Sequence, residues 1–248
     1  MTDHVRVETR EGVRVITIDR PEKKNALTGA MYRALADALG DTADDPAVGA
    51  VLIRGAPGAF TAGNDLADFA AAAAGGDVAG PILTFLRALA TVETPLVAAV
   101  DGLAIGVGTT LLLHCDLVFA SDRSVFRTPF TDLGLTPEAA SSLLGPRLMG
   151  HQRAFELLVA GLAFDAAKAE AAGLVNRVLP QDRLEGEAFA AAAALAAKPR
   201  RAVAIARRLL KGDPMEVLQR IDEEAALFTE RLQSAEAQAA FRAFLTRA

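Results

Sequence analysis

Two short apolar runs constrain the fold most: GAVLIRG at residues 49–55 and PLVAAVDG at residues 95–102. Each is too short for a helix that stands alone, and neither alternates polar with apolar residues. Such runs suit strands buried on both faces, which belong to parallel sheets joined by helical crossovers. A helix is legible between them and the N-terminus. Leu27, Met31, Leu35 and Leu39 recur every fourth residue, and a DDP turn at 44–46 leads into the first run. Strand, helix and strand in that order predict an α/β protein, a largely parallel sheet covered by helices. Upstream, HVRVETR and VRVITIDR alternate around Glu11 and Gly12 as a hairpin does, and Pro21 ends the second arm.

With 248 residues the chain is long enough to bury a sizeable core. An apolar share of 52% excludes a disordered chain, although aromatic residues are only 5%. No apolar run approaches the ~20 residues that cross a bilayer, and MTDHVRVETR lacks the apolar centre of a signal peptide. Cys115 is the single cysteine, so no internal disulfide forms and a reducing compartment fits. A net charge of -5 argues against a nucleic-acid partner. The expectation is a soluble cytoplasmic protein with no membrane and no nucleic-acid partner.

Beyond about Gln181 the strand signal fades, and alanine-rich helical segments run on, interrupted at Pro199 and at residues 212–214. A boundary is expected near residue 190, between a core at 1–190 and a helical region at 191–248. DFAAAAAGGDVAG at 68–80 reads either as a mobile connection or as a plain surface loop.

Two glycine turns follow strands. In DGLAIGVGTTLLLHCD, Gly106 and Gly108 open an apolar helix, but Leu111 stands where a dinucleotide fingerprint needs its third glycine. The unpaired amides of such a turn hold developing negative charge; the plainer alternative is close backbone packing. AFTAGNDL at 59–66 is a second turn of this kind. Two amides from two turns, aimed at one oxygen, make an oxyanion hole. His114 reads as a packed side chain, and His4 and His151 lack partners at metal-ligand spacing, so no metal site is expected. Ser141 and Ser142 lack a nucleophile-elbow context. Charges on the C-terminal helices read as a solvated face. Glu138 is the lone glutamate in FRTPFTDLGLTPEAASS, residues 126–142. Following Pro137, it would open a helix beginning near Ala139, where a carboxylate favours the dipole.

Five segments in order resemble the crotonase family, the enoyl-CoA hydratases and isomerases: RPEKKNAL, AFTAGNDL, PLVAAVDGLAIGVG, CDLVFASDRSVFRTP and AAGLVNRVLP. The resemblance implies a spiral of ββα turns, a helical C-terminal trimerisation region and an acyl-CoA substrate of fatty-acid metabolism. It implies no cofactor, coenzyme A being part of the substrate. By position, the backbone amides of Asn64 and Val107 would form the oxyanion hole. Lys24, Ala26, Ala62, Gly63, Asp65, Leu66 and Gly106 would bind the substrate, with Thr110 and Phe130 beside the reacting carbons.

Thr110 and Phe130 occupy the places of the two hydratase glutamates. The stretch around Glu138 instead resembles the peroxisomal-type Δ3,Δ2-enoyl-CoA isomerases, whose base stands there. That implies a double-bond shift by one carboxylate. The alternatives are hydration, another crotonase reaction on an acyl-CoA, or a noncatalytic member that binds CoA esters or a partner. Apolar positions in the last third, Leu209, Leu210, Val217, Leu227, Phe228, Phe241, Phe244 and Leu245, are expected to bury surface between subunits of a homotrimer or dimer of trimers.

Overall fold

The described residues of this computed structural model are 2–42, 45–65 and 79–245. Leu66 and nearly all of the connection read at 68–80 lie outside them, as do the side chains of Phe244 and Leu245.

The N-terminal arms form the expected hairpin. Strand β1 (Val5–Arg10) pairs antiparallel with β2 (Val13–Ile18) across Glu11 and Gly12, both with positive φ, the backbone that a two-residue hairpin turn requires. Four further strands, β3 (Ala50–Gly55), β5 (Leu96–Val100), β7 (Leu117–Ser121) and β10 (Arg177–Leu179), extend the sheet in parallel, in the order β1-β2-β3-β5-β7-β10. A second sheet follows the order β4-β6-β8-β9, from β4 (Ala59–Thr61), β6 (Leu103–Ile105), β8 (Val125–Arg127) and β9 (Phe164–Asp165). Strands β3, β5 and β7 each run into a strand of the second sheet, so the chain winds as a spiral through both.

Helix α1 (Gly29–Gly40) buries Met31, Tyr32, Leu35 and Leu39 and packs on α2 (Ala79–Thr91). It begins later than the leucine spacing suggests. Thr28 accepts a hydrogen bond from the Met31 amide at 3.3 Å and caps the helix, leaving Leu27 in an extended bridge with Asn64. On the opposite face of the first sheet, α7 (Gln181–Ala196) buries Leu184, Ala188 and Ala192 against a cluster that includes Val13, Leu52, Val97 and Phe119. Both faces of the central strands are thereby covered, as their unbroken apolar sequences require. Residue 190 lies inside α7, and that helix packs on the sheet over its length.

Between β6 and β9 lie α3 (Val107–Thr110), α4 (Ser141–Met149) and α5 (His151–Leu158), and α6 (Ala166–Ala171) follows β9. The C-terminal helices are α8 (Arg200–Lys211), α9 (Pro214–Leu232) and α10 (Ala235–Leu245). Arg207 ties α8 to the core through Asp116 at 2.7 Å. The apolar positions of this region divide. Val217, Phe228 and Phe241 pack against the chain's own core, whereas Leu209, Leu210 and Leu227 are 77%, 89% and 54% exposed. No helix among the described residues is long and apolar enough to cross a membrane.

Candidate active site

The two glycine turns meet. Gly63 has φ +85°, and a Cβ there would lie 2.8 Å from the Ile105 carbonyl oxygen. A Cβ on Gly108 would lie 2.5 Å from Thr61 Cγ2. Only glycine lets these backbones approach so closely. Around the junction the Gly63 amide donates to Thr61 Oγ1, the Asp65 amide to Leu27 and the Gly106 amide to Arg127. The Asn64 and Val107 amides donate to no other described residue. Val107 is the first residue of α3, where such amides have no partner within the helix.

Glu138 reaches the site from the segment after β8. Its carboxylate is buried, and Oε1 accepts a hydrogen bond from Thr110 Oγ1 at 2.8 Å. Thr110 ends α3, three residues after Val107, so one short helix sets both groups. Burial pushes the Glu138 carboxyl up to about 7; the Thr110 hydrogen bond opposes this and the charge of Glu224 adds to it. Behind it, buried His114 Nε2 donates to the Ala139 carbonyl at 2.8 Å. Burial holds that imidazole down to about 4 and therefore neutral, so His114 is a packing residue as expected.

The expectation that Glu138 opens a helix near Ala139 is corrected. Ala139 and Ala140 adopt left-handed backbone, with φ of 63° and 53°, and α4 starts at Ser141. The carboxylate at the start of α4 comes from elsewhere: Glu224 of α9 accepts from the Ser142 amide at 3.0 Å. Sequence reasoning missed Glu224, although Val217, Ile221, Glu224 and Phe228 share one helical stripe. It also missed Tyr32. This buried phenol packs against Phe85 at 5.6 Å between ring centroids and donates to the Asn64 side-chain oxygen. Burial, and then the charge of Glu138, hold its pKa well above the usual tyrosine value.

A cleft of about 1200 Å³ opens beside the junction. Its walls bring together Lys24, Ala26, Ala62, Gly63, Asn64, Asp65, Gly106, Val107 and Phe130, and Phe228 and Phe241 from α9 and α10 complete them. Lys23 and Lys24 lie exposed at its edge, whereas Arg20 is paired with Asp65 at 2.6 Å and Arg127 with Asp132 at 2.8 Å. Thr110 and Glu138 are not among these wall residues; Thr110 stands one turn along α3 from Val107, which is. Among the described residues, no three His, Cys, Asp or Glu side chains are grouped to hold a metal ion.

The spiral of two sheets, with its paired glycine turns, is a crotonase-type fold. A family model described as enoyl-CoA hydratase/isomerase matches residues 8–248, and the chain belongs to that family. Enoyl-CoA delta isomerase 2 of Rattus norvegicus is 36% identical over 97% of this chain, which spans 63% of that relative's length. A crystal structure of an enoyl-CoA hydratase/isomerase from Pseudoalteromonas atlantica T6c superposes with a TM-score of 0.94 at 42% identity, covering 99% of this chain and 98% of the other. An enoyl-CoA hydratase from Mycobacterium avium subsp. paratuberculosis K-10 gives a TM-score of 0.90 at 31% identity, covering 100% and 97%. Similar proteins thus carry both isomerase and hydratase names.

Proposed function

We propose that the protein moves the double bond of an enoyl-CoA thioester from C3 to C2, with Glu138 as the only base. The carboxylate takes a proton from C2, holds it as the neutral acid, and returns it to C4 of the dienolate. The Asn64 and Val107 amides hold the thioester oxygen as it gains charge, each worth roughly 3 kcal/mol at such a site. The shift is redox-neutral, so coenzyme A enters only as part of the substrate and no electron carrier is needed.

One observation carries this reading. Glu138 is buried, directed by Thr110 and held near neutrality, so it is available both to accept and to return a proton at pH 7. Hydration asks for a second group to hold and deprotonate water. Thr110 and Phe130 offer no carboxylate for that, and the Glu224 carboxylate is taken up by the Ser142 amide and hydroxyl. Lys24 and the walls from Ala26 to Asp65 would receive the coenzyme A portion, with Leu66 next in the chain.

The test is a panel of 3-enoyl-CoA and 2-enoyl-CoA esters, followed by the ultraviolet absorbance of the conjugated thioester. Absorbance should grow with the 3-enoyl ester. Bleaching of the 2-enoyl ester should be at least ~10³-fold slower, about 4 kcal/mol in barrier. Brisk bleaching would make the protein a hydratase, and Glu138→Gln that isomerises at the wild-type rate would remove the assigned base.

Residues 191–248 would serve assembly as a homotrimer or dimer of trimers, supported by Leu209, Leu210 and Met215 standing exposed on α8 and α9. Light scattering that returned a monomer mass would oppose this. The cytoplasm is the proposed compartment, supported by the half-buried free thiol of Cys115.

A further inference from the structure

Glu224 is a second buried carboxylate close to Glu138, and the proton shift gives it no task. It projects from α9 and is only 5% exposed. Its Oε1 accepts two hydrogen bonds from Ser142, at 3.0 Å from the amide and 2.5 Å from the hydroxyl. Oε2 is buried, with no hydrogen-bond partner among the described residues. Arg220, one turn earlier on α9, donates to the same Ser142 hydroxyl at 3.1 Å.

These contacts fall where the chain behind Glu138 is strained. A left-handed residue with a side chain costs about 1 kcal/mol, and Ala139 and Ala140 are two in succession. Such a backbone persists only where its surroundings hold it. Three contacts do so here. Thr110 holds the Glu138 carboxylate, His114 holds the Ala139 carbonyl, and Glu224 holds Ser142. Ala140 at the N-cap has no side chain that can cap α4, and the Glu224 carboxylate takes that place.

We propose that Glu224 is a positioning residue for Glu138: by gripping Ser142 beyond the left-handed pair, it fixes the direction in which the Glu138 carboxylate leaves the backbone. This role rests on the reading of Glu138 as the base. It gives the C-terminal region a second job, inside its own subunit, besides assembly.

The charge of Glu224 also reaches Glu138. The titratable groups around this base are Tyr32 on α1 and Glu224 on α9, with His114 on the neighbouring Ala139 carbonyl; Arg220 acts on Glu224, and Lys211 and Arg207 of α8 act on His114. Tyr32 keeps its proton and His114 stays neutral at pH 7. Burial raises the pKa of Glu224 as well, and in its ionised form Glu224 is the neighbouring charge that disfavours ionisation of Glu138.

Glu224→Gln keeps an oxygen for Ser142 and removes that charge. The full chain, labelled with carbon-13 at the glutamate carboxyls, is titrated by NMR, and the Glu138 signal is the one missing from Glu138→Gln. The Glu138 midpoint should fall by about half a pH unit or more in Glu224→Gln. Glu224→Ala should lower the isomerase kcat by ~10-fold or more with KM within about twofold, because orientation is lost but the cleft is not. If neither variant folds, Glu224→Asp retracts the grip and should lower kcat in the same way. An unmoved Glu138 midpoint in Glu224→Gln, or wild-type kcat in Glu224→Ala or Glu224→Asp, overturns the role. Failure of the base assignment is read separately, by Glu138→Gln retaining isomerase activity, and leaves the titration result standing.

Discussion

Replacing Thr110 by valine keeps the outline of the side chain and removes one hydroxyl. That hydroxyl is the 2.8 Å donor to Glu138 Oε1, and Thr110 is fully buried, so water cannot substitute for it. A hydrogen bond to a charged group contributes about 1.5–3 kcal/mol. It acts on the carboxylate and not on the neutral acid, so its loss raises the Glu138 pKa by roughly 1–2 units. Burial already holds that group up at about 7 against the pull of Thr110. The ionised fraction at pH 7 then falls from about one half to roughly 0.1–0.01. Since only the ionised form abstracts a proton, kcat/KM at pH 7 should drop roughly 5- to 50-fold, and the acid limb should move up by the same 1–2 units. At about pH 9.5 the deficit should shrink, because the variant also becomes ionised. KM should hold, as Thr110 is not among the cleft walls. Initial rates of conjugated-thioester formation between about pH 6 and 9.5 measure all three quantities. An acid limb coincident with the wild type would show that Thr110 does not govern the base.

Three further outcomes follow from the same geometry. Glu138 binds its proton more tightly in the folded chain: below pH 4.5 both states are protonated, and between 4.5 and about 7 only the unfolded chain releases the proton. Wild-type stability should therefore fall through that window by up to about 3 kcal/mol, and Glu138→Gln should lack this loss; urea unfolding of both proteins near pH 4.5 and 8 decides, and parallel curves would refute it. Val107→Pro deletes one amide at the first position of α3, where helices tolerate proline. It should cost at least ~10²-fold in kcat while coenzyme A binding survives in a protein shown folded by circular dichroism, and full activity would remove Val107 from the oxyanion hole. Gly63→Ala forces a Cβ to within 2.8 Å of the Ile105 carbonyl at φ +85°. It should cost about 2–4 kcal/mol in thermal or urea unfolding, and a neutral result would mean that the two turns are not packed as described.

Much of the architecture was legible because its signals are local. The hairpin shows itself in alternation around Glu11 and Gly12, and the buried strands in runs too short and too apolar for anything else. Helix α1 shows itself in its leucine spacing, with only its first turn misplaced: the Thr28 cap sets the start, and Leu27 is recruited by Asn64 into a bridge. Glu138 and the two glycine turns stood out through their motifs. The exposed and packed halves of the C-terminal apolar set could not be separated, since periodicity reports a face and not what covers it.

Which segments become strands and helices, and which turns carry free amides, follows from the chain's local order, because both depend on residues a few positions apart. Long-range packing alone makes the turns at Gly63 and Gly106 touch, turns Glu138 to Thr110 and not to the start of α4, and lets Glu224 supply that helix with its cap. A hydrogen bond closed across distant segments leaves no periodic trace, because any carboxylate at the right point in space would satisfy the same amide. The burial that brings Glu138 to about 7 is likewise a property of its whole surroundings, drawn from α1, α3 and α9 as well as its own segment. Desolvation depends on where those elements pack, and packing exists only once the chain has folded.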